Sequence, residues 1–346
     1  KFSFFQNFRK FFFLNSIASV LPCRVLGDPL QSVFWSVNKA EALPWQEVEN
    51  CFPFVGGLNH PYRWDKKNEA LGKWLLTIRE ALLAGDVIDL RRAPGVNVQE
   101  CVSTQQFQLA ACQNSIRLDG KIFALRKFRP QCWSLAGSLN NAFITFEDAE
   151  CGELLKFTRK LDEVRGTERV QELAAFAENW LARLPKPAIE AVVNSVLKDV
   201  PSKARRADLL QLFQAFVQIR DDDDYRNIAS LLDAYEALNE QPVFKSREVW
   251  SGLRKAVSSC SLEAENSLYQ TAWQHRNMLR RVGRHPARRC LATPLLVKGL
   301  ECDHTLILDA SDFPDAESLY VCLTRASRSV TVLAKSSKIR AVRSAC

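Results

Sequence analysis

The sequence has few histidines and no closely spaced cysteines. Only four histidines occur in 346 residues, and the eleven cysteines, scattered from Cys23 to Cys346, include no Cys-x-x-Cys pair. That excludes a zinc ribbon or a crosslinked secreted scaffold and predicts reduced thiols in the cytoplasm, used as small buried apolar side chains. The loop Gly-x-x-x-x-Gly-Lys-Ser/Thr is also missing. Gly72-Lys73 is followed by Trp74 and Gly120-Lys121 by Ile122, with no upstream glycine in either case. The sequence therefore offers no such backbone cradle for phosphates and no accompanying hydroxyl for magnesium. Nor is there a leader-like apolar run: Phe11-Phe12-Phe13-Leu14 is short and broken by Asn15 and Ser16. The better reading of the first residues is an amphipathic helix burying Phe4, Phe5, Phe8, Phe12 and Leu14, packed beside a strand at 23–26. Position 1 is Lys rather than Met, which suggests a fragment whose true start lies upstream.

What is present is ordinary in bulk and specific in detail. Hydrophobic residues make up 47% and charged residues 25%, a balance for a soluble globular protein with room for two domains, and no membrane is expected. Lys and Arg total 47 against 39 Asp and Glu, a formal charge of +8 that is compatible with a polyanionic partner. The most informative stretch is 297–325. Its run 305–308, Thr-Leu-Ile-Leu, between Asp303 and the Asp309/Ser311/Asp312/Pro314 cluster, predicts a buried strand of a parallel sheet. Asp315 suits the start of a helix on which Leu319, Cys322, Leu323 and Ala326 form one apolar face. A second strand is predicted at 329–334. In front lies the loop Lys298-Gly299-Leu300-Glu301. A glycine beside paired charges, with Arg325 on the next helix, is what a phosphorylated ligand needs, because backbone can approach closely and a guanidinium can meet phosphate oxygens bidentately. An ordinary turn and a surface arginine would read the same way.

Elsewhere the periodicity predicts a helix through Leu71, Trp74, Leu75, Ile78 and Leu82, stopped at Gly85. Helix, strand, helix, strand follow at 107–115, 121–125, 131–139 and 142–146, which argues for a doubly wound α/β unit. Residues 154–282 read as helical throughout, with no strand. Within them Asp221 to Asp224 is expected to be a solvated loop or helix start rather than a metal site. Arg276, Arg280, Arg281, Arg284, Arg288 and Arg289 form a basic cluster suited to DNA phosphates or simply to a soluble surface.

Four segments in order resemble motifs III to VI of the UvrD/Rep-like superfamily 1 DNA helicases. Val25-Leu26-Gly27-Asp28-Pro29-Leu30-Gln31-Ser32-Val33-Phe34 resembles motif III and Tyr62-Arg63 the core of motif IV. Val297-Lys298-Gly299-Leu300-Glu301 and Leu319-Tyr320-Val321-Cys322-Leu323-Thr324-Arg325-Ala326 resemble motifs V and VI. The resemblance implies a RecA-like parallel-sheet motor domain with an all-helical insertion and a remnant of the first motor domain. The remnant would be 1–45, the second motor domain 46–153 with 285–346, and the accessory insertion, a possible protein-docking element, 154–284. It implies an ATP-dependent DNA helicase or translocase acting on single-stranded or partly duplex DNA, with ATP bound and Mg2+ held by ligands in the missing upstream part. Arg325 would be the finger on the transferred phosphoryl group, Gln31 the sensor of the terminal phosphate and Arg63 its contact from the second domain. Gly299, Glu301 (on the ribose), Asp28 and Tyr62 would adjoin ATP. Phe34, Trp35, Lys298, Arg280 and Arg284 would meet DNA. The chain departs from the family at Trp35, one place early for the usual aromatic, and at Leu295, where a histidine is common. The Asp-Glu pair expected upstream of motif III is missing as well. A second implied reading is an ATP-silent nucleic-acid-binding or partner-docking module that keeps the scaffold.

Overall fold

Short apolar runs flanked by neighbours on both sides become the centre of a parallel sheet. In a computed structural model, residues 8–31, 45–146, 152–262, 267–282 and 286–342 are described. The strands are β1 (Val87–Asp89), β2 (Val96–Glu100), β3 (Ile122–Leu125), β4 (Ile144–Thr145), β5 (Leu181–Ala182), β6 (Val243–Phe244), β7 (Arg289–Ala292), β8 (Cys302–Ile307), β9 (Ala326–Ala334) and β10 (Lys338–Arg340). In the parallel sheet β2, β9, β8 and β3 are neighbours in that order, and β7 neighbours β4. The protein is thus an α/β protein, and β8 is the strand that the run at 305–308 predicts.

The chain divides into two units, 1–129 with 292–346 and 130–291. In the first, β8 pairs in parallel with β9 (Ile307 opposite Val332) and with β3 (Leu306 opposite Ala124). β2 adds to the far side of β9 in parallel, Val96 opposite Val330. All four residues of β3 are buried and β8 is buried except at Asp303, the signature of a sheet covered on both faces. The helix Glu69–Ala84 follows the predicted face, with Leu71, Leu75, Ile78 and Leu82 inside. Asn68 caps its start and Gly85, at φ +73°, ends it in the left-handed region where glycine carries no Cβ penalty. The helix Ala316–Thr324 is capped by Asp315, whose carboxylate accepts from the Ser318 amide at 2.7 Å. It is buried on every side rather than on one apolar face, since Ala316, Glu317, Tyr320, Val321 and Thr324 are buried along with Leu319, Cys322 and Leu323.

Three expectations at the chain start and in the sheet are corrected. The strand expected at 23–26 does not form: residues 22–28 have no regular structure and Leu26 is exposed, because the segment is held by side-chain bonds of Asp28 instead. The helix Phe8–Ala18 exists, with Phe11 buried against Val48, while Phe12 is exposed and Leu14 half-buried; the Phe8 side chain lies outside those described. Phe4 and Phe5 lie outside the described residues. The strand expected at 329–334 begins three residues earlier, at Ala326.

The second unit is helical around its own core. Trp250, Phe176, Phe216, Tyr235, Leu212 and Leu253 belong to one buried cluster built only from residues 154–272. β5 and β6, absent from the sequence reading, pair antiparallel over two residues each, Leu181 opposite Phe244. β4 and β7 pair in parallel in this unit. The acidic run is held by arginines, as a solvated turn would be: Asp221 by Arg220, Asp223 by Arg165 and Arg169, and Asp224 by Arg226.

Candidate functional site

The side chains that come together lie in the first unit. The helix Ala316–Thr324 passes into β9 with only Arg325 between them, in a helical backbone conformation (φ −75°, ψ −34°). This fixes where the guanidinium can go. Arg325 is 1% exposed. Its Nε donates to the Val321 carbonyl at 3.1 Å, Nη1 to the Leu300 carbonyl at 3.3 Å and Nη2 to Thr324 Oγ1 at 3.0 Å. Among the described residues no carboxylate lies within 4 Å of it, so neither a surface location nor a pairing with Asp309 holds; Asp309 instead accepts from the Ser311 amide and hydroxyl. Burial, and next the nearby Arg63 charge, push the Arg325 pKa down to about 10. The group stays cationic at neutral pH, in a place that does not neutralise it.

Three neighbours complete the cluster. The short helix Pro294–Val297 ends at Lys298, and Gly299 turns the chain at φ +83° so that Leu300 N–H reaches the Val297 carbonyl at 2.9 Å. A Cβ built on Gly299 would meet nothing within 4 Å, which leaves open space over this turn. The same loop wraps Arg325, because Leu300 accepts from its side chain and Cys302 N–H donates to its carbonyl at 3.1 Å. Lys298 is half-buried, and its pKa falls to about 8 through burial and then the Arg325 charge, opposed by Asp28. Arg63 comes from the turn Tyr62–Trp64, which Trp64 anchors by an indole bond to the Ala326 carbonyl at 2.8 Å. Arg63 Nη1 donates to the Thr324 carbonyl, and Nε lies 3.0 Å from Glu301 Oε1. That contact is one of charge rather than an aligned hydrogen bond, for the buried Nε–H has no hydrogen-bond acceptor. Glu301 and Arg325 immediately precede β8 and β9, so the cluster crowns the amino-terminal ends of these two strands.

Asp28 and Gln31 belong to a different network. Asp28 takes both ends of Arg79 at 2.9 Å, the Leu30 amide at 3.1 Å and the Gln31 side-chain amide at 2.8 Å. Arg79 also donates to Tyr320 Oη at 2.9 Å, and its guanidinium lies over that ring at 5.2 Å. The turn carrying Gln31 is thereby tied to the helix that leads to Arg325. Arg79 escaped the sequence reading; its one signal was an arginine between the buried positions Ile78 and Leu82. Tyr62 is 78% exposed, with its ring against His60 at 4.1 Å between centroids. Phe34, Trp35 and Arg284 lie outside the described residues. Arg280 falls on the helix Leu268–Val282 of the second unit.

Chemically the cluster can hold multiple negative charge: two arginines and a lysine converge, with one exposed carboxylate in contact. It suits a multiply charged anion such as a phosphate. Among the described residues no group of three His, Cys, Asp or Glu side chains suited to a metal occurs, and Asp28 pairs with Arg79. No helix among the described residues is long and apolar enough to cross a membrane. No protein-family model matches the chain, and no curated protein matches it.

Proposed function

We propose that the chain is the C-terminal portion of an ATP-dependent DNA helicase or translocase, its first unit a RecA-like motor fold. One observation carries this reading: a buried arginine with no carboxylate partner among the described residues, beside a second arginine and a half-buried lysine. Burying an unneutralised guanidinium costs stability, and a site that gathers negative charge during a reaction gives that cost a use. Arg325 then meets charge developing on the transferred phosphoryl group, and its hydrogen bonds hold the planar fork in place. Arg63 contributes a donor not yet used. No step is assigned to magnesium.

The chain supplies no phosphate-binding loop, so the 346-residue protein by itself is expected to release no phosphate from ATP with or without single-stranded DNA. Steady DNA-stimulated release, abolished by Arg325→Ala, would overturn that expectation. Joined to a half that carries such a loop, Arg325→Ala should lower turnover by about 10³–10⁵ with ATP affinity little changed, and Arg325→Lys should rescue poorly. A fall in melting temperature with normal turnover per folded molecule would instead make Arg325 a structural residue.

One observation favours a second reading, the ATP-silent nucleic-acid-binding module. Gln31, the expected phosphate sensor, donates its amide to Asp28, which Arg79 holds in turn. Binding of single-stranded DNA without any measurable binding of ATP or tripolyphosphate would favour it.

A further inference from the structure

Among the described residues Glu301 is the carboxylate seen against Arg63, and its position is that of a ligand. Its Oε1 is 3.0 Å from Arg63 Nε, its charge acts on Arg325, and its side chain is 57% exposed. The two arginines repel each other across the site, so this carboxylate is the compensating charge when nothing else is bound. A phosphate arriving there brings its own negative charge and then faces Glu301 as a like charge. An exposed side chain can rotate into water, and the Arg63 Nε–H that Glu301 fails to engage is ready for a better acceptor.

We propose that Glu301 is a resident counter-anion that polyphosphate displaces, and that it selects chains of phosphates over single ones. A monoanion exchanges one negative charge for another and gains little. A polyphosphate carries several charges, which also act from beside the site on half-buried Lys298 and on buried Arg325. This rests on reading the cluster as a phosphate site and departs from the ribose contact that the family resemblance implies for Glu301. The two roles predict opposite signs. Removing a ribose contact weakens nucleotide binding, whereas removing a competitor tightens it.

The test is calorimetric titration of the full 346-residue chain at pH 7.5 and low salt with tripolyphosphate, inorganic phosphate and ATP. Exposed ion pairs are worth little, so Glu301→Gln should tighten tripolyphosphate by about 3–10-fold and make inorganic phosphate binding measurable. Arg63→Ala in the same background should cancel the gain. ATP affinity should rise in step with tripolyphosphate. Glu301→Gln is near-isosteric at an exposed position, so folding is retained and checked by circular dichroism. Unchanged or weaker tripolyphosphate binding in Glu301→Gln, with normal binding to the wild type, overturns the counter-anion role and leaves the phosphate site standing. Absence of binding by any anion to wild type and variant overturns both.

Discussion

Lys298 titrates within reach of experiment because its ammonium is half-buried beside Arg325. An unfolded lysine titrates near 10.4, whereas the folded group does so at about 8. Between these values the unfolded chain binds more protons than the native one, so this residue makes stability rise with pH from about 8 to 10. Below pH 8 it is charged in both states and its burial cost is fully felt. The difference in melting temperature between wild type and Lys298→Met should therefore change across that window, with the wild type gaining on the variant as pH rises. A constant difference would place the amine in water. This residue illustrates what spacing alone conveys: Lys298, Gly299, Glu301 and Arg325 stand out from the sequence as phosphate-type chemistry. That Arg325 would be buried, and that Glu301 would meet Arg63 from 238 positions earlier, depends on the register of distant strands and on no local pattern.

At the scale of elements, the turn 28–31 depends on one guanidinium. Arg79→Met removes two bonds to Asp28 and one to Tyr320, leaving a partly buried carboxylate with only the Leu30 and Gln31 amides. Hydrogen bonds to charged groups are worth about 1.5–3 kcal/mol, and partial exposure brings the expected cost of this variant to about 1–3 kcal/mol in urea unfolding. No loss would mean that the turn is held by Leu30, which is fully buried, alone. Most helices were legible because their apolar periodicity and caps are local, as Leu71 to Leu82 and Asp315 show. Strands were legible where the apolar run was continuous, as in β3 and β8. β2 was not. Its Val96-Asn97-Val98 alternates, but it follows Pro94-Gly95 and exists as a strand because β9 lies beside it. β7 and the two-residue β5 and β6 are likewise made by partners rather than by propensity. The expected strand at 23–26 failed because Asp28 holds the segment through its side chain, and no strand lies beside it among the described residues.

For the whole molecule, the separate core of the second unit predicts separate melting. Trp250 is 2% exposed, its ring meets Phe176, Tyr235 and Phe244, and its indole N–H donates to Glu236 at 2.7 Å. Trp250→Ala should cost about 3–5 kcal/mol and lower one transition in scanning calorimetry while leaving tripolyphosphate affinity intact. A single transition that moves as one, with loss of anion binding, would show instead that the two units unfold together. The junction at Arg325 has a further consequence, for rates. Helix and strand meet there across a single residue, and both are buried, so the guanidinium has no hinge of its own on which to swing toward a ligand. Among the described residues the group that must move aside is an exposed glutamate, and side-chain rotation in water takes picoseconds to nanoseconds. Polyphosphate should therefore associate in one kinetic phase, first order in ligand without a plateau, at a rate that falls steeply as ionic strength rises.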